Sequence, residues 1–421
     1  MNDNNNQTTI PKMFIIYWTG QIISLFGSEI TQFAIIWWIL VTYNSPLYFG
    51  LGLIASAISR VAVLPIIGVI SDYWNRKVIL IVADLLQSVV TLALIICFYF
   101  GLVSFELLFL LLTFRGFFQT LHENADTAII PQLVNKNTFS KLNAMGWFSQ
   151  GLSSFGGPVT GALLVEIFGK DHIASVLWID IITFGIALIA VWWIKIPNTS
   201  RLTLKPSFLS NVAFGFGYIK QRRILQLLVL MTLVFNFTLT STHIIMPIYV
   251  LSPTQFNAGS KELSLAIGSQ SLGVIVSSIY ISSRPIKNKY ALRMVLSMCS
   301  DAIAILFVDL SLVTHNLLLL YIAQFVTGIS ISYYSIVGLT LWQHLVPNEM
   351  LGRVSATRRV FSIGSYPLSL LLTSFLAEII YPILIVFIGS ILCILFLIYV
   401  WVFTSFSDLE NRITTSLTVD E

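Results

Sequence analysis

Twelve stretches of this chain are apolar and long enough to cross a bilayer, and that constrains the fold before any motif is read. A spanning α-helix needs about 20 mostly apolar residues. The runs are 13–42, 47–71, 78–100, 104–130, 141–168, 173–196, 224–251, 262–283, 291–312, 316–345, 354–379 and 382–404. Several exceed the minimum, so tilt or extension past the headgroups is expected. Backbone polar groups in hydrocarbon must be bonded internally, which leaves helices or a closed barrel. The alternating ten-residue segments of a barrel are absent. Charged residues make up 10% of the 421 and mean hydropathy is +0.87. A soluble domain carries about 25% charge. The sequence predicts an all-α integral membrane protein with twelve transmembrane helices.

The same pattern excludes other classes. The net charge of +4 marks no nucleic-acid surface, because the bases sit in short loops between apolar runs. Cys97, Cys299 and Cys393 lie within apolar runs, with neither a disulfide framework nor metal-ligand spacing. No Gly-rich phosphate loop with Lys and Ser/Thr appears, so ATP is not the expected power source. No Ser-His-Asp set sits at plausible depth. An enzyme, a metal site and a cofactor are therefore not expected, and an ion gradient is the expected driving force.

Lys and Arg placement sets the orientation. Of 23 such residues, Arg60 and Arg115 lie deep within spans, Lys170 and Lys261 fall in loops on one side, and the other 19 fall in the tails, loops and span ends opposite. That places both termini in the cytoplasm, in a multi-pass cell-membrane protein. The expected organisation is a disordered tail (1–12), a six-helix bundle (13–196), a middle loop (197–223), a second six-helix bundle (224–404) and a tail (405–421). The polar start lacks the apolar run of a signal peptide. A weak repeat supports two halves. Leu133-Val134 and Phe139 to Ala144 match Leu345-Val346 and Leu351 to Ala356 at an offset of 212. Repeats in a polytopic chain point to a transporter whose halves rock around a midplane site.

One short turn between the second and third spans carries a motif: Gly68-x3-Asp72-x3-Arg76-Lys77. Gly68 permits close helix packing, Asp72 can accept hydrogen bonds at the next helix start, and the two bases anchor that end at the water boundary. This motif resembles the loop 2–3 signature of the major facilitator superfamily, except at Asn75, where that family often has Gly. Ala34-Ile35-Ile36-Trp37, Ala83-Asp84-Leu85, Arg115, Ile179-Asp180 and Leu351-Gly352-Arg353-Val354 resemble its macrolide-efflux branch of drug/proton antiporters. The likeness spans nearly the whole chain. It implies two six-helix bundles of the major facilitator fold, with spans 1, 4, 7 and 10 lining a cavity.

A charge inside a bilayer is costly, so each needs a partner or a task. Glu29 stands near the middle of span 1, at the edge of a polar stripe with Gln21, Ser24, Ser28, Thr31 and Gln32. On span 4, Arg115, Gln119, His122 and Asp126 fall at i, i+4, i+7 and i+11, one helix face, with Glu123 beside them. Glu29 and Asp180 are the two candidate partners for Arg115. The resemblance implies that this Arg influences proton release by an adjacent acid, although the Gln that follows comes four residues later instead of three. A guanidinium close to a carboxyl favours its ionised form, and burial favours the protonated one. A change in their separation would load and unload a proton. Glu29, Arg115, Glu123 and Asp126 are therefore the candidate proton-coupling residues, with gating as the other role for Glu123 and Asp126.

Gln21, Ser24, Gln32, Gln119, Asn236, His243, Gln324 and Tyr334 are the candidate substrate-cavity residues. Asp84, with Gly68, Asp72, Arg76, Arg358 and Arg359, makes the expected cytoplasmic gate. The resemblance implies that the loop acid latches the halves shut. Span 5 holds Gly157, Pro158 and Gly161, resembling the antiporter signature of exporters; small residues allow close packing and Pro158 removes one backbone bond.

The sequence thus predicts a proton-coupled exporter of amphiphilic, macrolide-like drugs, monomeric and working by alternating access. The alternatives are a transporter of a native metabolite (siderophore, sugar or lysolipid) and a non-transporting receptor or scaffold.

Overall fold

A computed structural model describes residues 12–73, 75–133, 139–194, 208–252, 256, 258–284, 289–404 and 406. Side chains within 64–73, 130–145 and a few single positions fall outside that description. Both expected tails, and Gly68 and Asp72 of the loop motif, lie largely or wholly there. The described residues form thirteen α-helices. They are Lys12–Tyr43 (α1), Pro46–Tyr73 (α2), Arg76–Tyr99 (α3), Phe105–Leu133 (α4), Phe139–Phe168 (α5), Ile173–Trp193 (α6), Phe208–Lys220 (α7), Arg223–Leu251 (α8), Ser260–Ser283 (α9), Tyr290–Thr314 (α10), Leu317–Leu345 (α11), Asn348–Ile379 (α12) and Pro382–Phe403 (α13).

Twelve of these coincide with the expected spans. Among the described residues, eleven are long and apolar enough to cross a membrane. The long helix outside that set is α4, whose charged stripe includes Arg115, Glu123 and Asp126. The thirteenth, α7, lies inside 197–223, expected as loop. At 13 residues it is too short to span, so a search for spans passes over it. Gly215, Tyr218 and Ile219 are its buried face. A Cβ at Gly215 would sit 2.2 Å from Thr357 Oγ1, and Thr357 donates to the Val212 carbonyl at 2.9 Å, so α7 is bound to α12.

The chain forms two compact units: Met1–Tyr43 with Leu51–Lys205, and Asn44–Gly50 with Pro206–Glu421. In the first, α1 packs on α5 and α6, and α3 on α4 and α6. Its core includes Ile35, Ile39, Leu94, Leu112 and Leu177, all fully buried. In the second, α11 packs between α9 and α10, and α8 contacts α12 and α13. Leu228, Met231, Met298, Val337 and Val400 fill that core. Within the second unit, Glu378 accepts from Ser45 Oγ and from the Leu47 amide. The outer faces are apolar: Ile189, Trp192 and Trp193 are 63%, 74% and 72% exposed. Such a surface suits lipid, where helices satisfy their own backbone.

The departure of the loop motif at position 75 has a structural role. Asn75, the departure from Gly, is the N-cap of α3, and its side chain accepts from the Lys77 amide at 2.9 Å. That is an N-capping role. Lys77 donates from Nζ to the carbonyls of Trp192 at 2.8 Å and Ile194 at 2.6 Å. A cation there satisfies the free carbonyls ending α6 and complements its dipole.

Candidate functional site

Asp180 is the centre of the first unit. It is fully buried on α6 and accepts from three other helices: Ser28 Oγ of α1 at 2.9 Å, Thr91 Oγ1 of α3 at 3.0 Å and Arg115 Nη2 of α4 at 2.9 Å. Arg115 is 2% exposed, and its Nη1 also reaches Gln32 Oε1 at 3.5 Å. Of the two partners open to Arg115, Asp180 is the one it takes. Charge-assisted bonds of this kind are about twice as strong as neutral ones.

Glu29 stands next to this node but outside it. It lies one residue past Ser28, about 100° further round α1. Its carboxylate forms neither a hydrogen bond nor an ion pair among the described residues, while Arg60, Arg115 and Glu123 lie within electrostatic reach. The span-5 motif meets α1 here. A Cβ at Gly157 would sit 2.4 Å from Glu29 Cβ, and one at Gly161 would sit 3.2 Å from the Ile30 carbonyl. Pro158 lies inside α5 between these two approaches. The expected packing role of Gly157, Pro158 and Gly161 therefore has a definite target, the backbone around Glu29.

A second polar group joins α1, α3 and α4. Tyr17 donates its hydroxyl to Asp126 Oδ1. His122 Nε2 lies 3.4 Å from Asp84 Oδ1, at ion-pair distance but without hydrogen-bond geometry. Asp84 of the expected gate thus lies beside His122 of α4. It is eight residues into α3 from Arg76, about 12 Å along the axis at 1.5 Å per residue. Glu123 is exposed and accepts from Gln119 Nε2 at 3.1 Å.

The other candidates divide between paired and packed. Gln21 is half-buried and Ser24 buried on α1. In the second unit, Asn236 Nδ2 donates to the Ser362 carbonyl at 3.1 Å and to Ser365 Oγ at 2.6 Å. His243 Nε2 lies 3.2 Å from Gln270 Nε2. Gln324 is 1% exposed. Tyr334 is buried, stacks on Phe235 at 4.1 Å between centroids and donates to Thr232 Oγ1 at 2.8 Å. It is part of the hydrophobic core of its unit. Arg358 is half-buried and Arg359 exposed on α12.

Sequence reading missed Tyr17 and Thr91. The signal for Tyr17 was present: 17, 21, 24 and 28 follow the same i, i+4, i+7, i+11 spacing as the α4 stripe. A phenol near a helix start passes for an interfacial aromatic. Thr91 sits two turns past Asp84 on one face of α3, and its pairing needed the position of α6.

A family model described as "Transmembrane secretion effector" (MFS_3) matches residues 9–415. This chain belongs to the major facilitator superfamily. Macrolide efflux protein A of Streptococcus pyogenes is 25% identical over 374 residues, which is 87% of this chain and 89% of that protein. Multidrug efflux pump Tap of Mycolicibacterium fortuitum is 24% identical over 370 residues, 84% of this chain and 86% of that one. Among solved structures, the nucleoside transporter NupG is similar at a TM-score of 0.75 and 12% identity, over 92% of this chain and 99% of its own. That likeness concerns the fold. The chain is thus a multi-pass membrane transporter of the superfamily, not an enzyme.

Proposed function

We propose that this major facilitator protein exports amphiphilic, macrolide-like drugs in exchange for protons, by alternating access, with both termini in the cytoplasm of the cell that bears it in its plasma membrane. The observation that carries the reading is Glu29, a carboxyl inside a spanning helix that, among the described residues, lacks a hydrogen bond or ion pair of its own while Arg115 is bonded to Asp180. An intramembrane acid is costly and marks an ion pathway by default. Glu29 gains a proton from outside and loses it inside; Asp126, Glu123 and their neighbours Tyr17 and His122 extend that path. Arg115 acts as a fixed positive charge, since its guanidinium does not itself deprotonate. The names of the two efflux relatives support drug cargo and the export direction.

The test is drug-driven proton release from inverted vesicles, with wild type compared with Glu29→Gln. Release by wild type and its loss in the variant is the expected result. Equal release in both removes Glu29 from the coupling role, and no release in either removes proton exchange altogether.

A further inference from the structure

The second unit holds two acids that the exchange reading does not use. Asp301 and Asp309 lie on α10, 1% and 5% exposed. Among the described residues, Asp301 Oδ1 and both carboxyl oxygens of Asp309 lack a hydrogen-bond partner, and neither acid has an ion-pair partner. No group of three metal-ligating side chains is found there either. A lone carboxylate in such a setting is among the costliest arrangements a membrane protein can hold.

Both acids border a seam where α8, α10 and α13 meet. From α13, the Cys393 thiol lies within electrostatic reach of Asp301 and is hydrogen-bonded with Thr238 of α8. From α8, the Tyr249 hydroxyl lies within electrostatic reach of Asp309. Around the pair also stand Cys299 on α10 itself, Tyr334 of α11 beyond Cys393, and Tyr381, hydrogen-bonded with Tyr249; among the described residues no cationic group is found acting on either acid. Ser390 stands one turn before Cys393 on α13. The helices α10 and α13 run in opposite directions, so Ser390 is displaced from Cys393 toward the Asp309 end. Its hydroxyl is fully buried and unpartnered, which makes it an independent polar group on the same seam.

We propose that Asp301 and Asp309 form a proton-binding site in the second unit, separate from Arg115 and Glu29. Eight residues on one helix put them about 12 Å apart along the axis, so each binds its own proton. The ligand is a proton and not a metal cation, because each acid stands alone and the surrounding oxygens belong to single Ser, Thr and Tyr hydroxyls.

Infrared spectroscopy of the full chain in phosphatidylcholine vesicles reads this directly and without transport. At neutral pH the carbonyl stretch of a protonated carboxylic acid is expected, reduced in Asp301→Asn and again in Asp309→Asn. The band should shift on transfer to D2O and persist in high NaCl. An unchanged band in both variants overturns the proposal. So does a band that never deuterates, which marks sealed acids without proton exchange, or one abolished by sodium. Should a variant fail to fold, dicyclohexylcarbodiimide labelling of the wild-type chain with peptide mass spectrometry decides the matter. Modification of Asp301 or Asp309 is then expected, and modification of neither overturns it.

Discussion

Gly157 lies directly against Glu29: a methyl group at position 157 would come within 2.4 Å of the Glu29 Cβ and within 3.4 Å of its Cα and carbonyl carbon. The small residue of α5 thus fixes where the candidate coupling acid can stand. Gly157→Ala should displace α1 at Glu29, costing about 1–3 kcal/mol of stability as an overpacked contact does. Drug-driven proton release should fall with it. Gly146→Ala on the same helix, where a Cβ meets nothing within 4 Å, is the control and should leave both thermal stability in detergent and release unchanged.

The Arg115–Asp180 pair should be far more sensitive to loss of one partner than of both. Arg115→Met or Asp180→Leu alone leaves a buried charge uncompensated, at about 3–5 kcal/mol. The double variant should recover much of that loss in thermal denaturation while still failing to export. Additive losses in the double variant would show that the pair is not a coupled unit.

Tyr17→Phe removes the hydroxyl that Asp126 accepts from and little else. Leaving a half-buried carboxyl without its donor should cost about 1 kcal/mol. Asp126→Asn in the Tyr17→Phe background should cost less than in wild type, which a double-mutant cycle on melting temperature measures.

Backbone touches backbone between α9 and α11. A Cβ at Gly273 would sit 2.1 Å from the Phe325 carbonyl oxygen, and one at Gly328 would sit 1.9 Å from that of Gln270. Neither backbone can give way like a side chain, so Gly328→Ala should reduce folded yield sharply. Gly389→Ala on α13, facing open space, should be tolerated. Size-exclusion profiles of purified protein separate the two.

Much of this was legible in the chain because oil imposes few rules and enforces them strictly. Most of the spans follow from apolar length alone, and the cost of Arg115 announced that it needed an acid. The choice between Glu29 and Asp180 was not legible. It depends on how far α1 and α6 are rotated toward α4, which packing decides. Asp84 was read as lying two turns inside span 3; that His122 of α4 stands beside it depends on how α3 and α4 pack. The cap of α3 at Asn75 was not read from the sequence; a side chain at the first non-helical position reaches the amide two residues on. The short helix α7 escaped because a threshold of spanning length cannot see a helix that lies against another.

The four-helix convergence on Asp180 also has a timetable. Ribosomes deliver Arg115 to the membrane 65 residues ahead of the acid that neutralises it. At about 5–20 residues per second that is a wait of roughly 3–13 s. During that interval the fourth span holds an unmatched guanidinium, and the first bundle can close only when its last helix arrives.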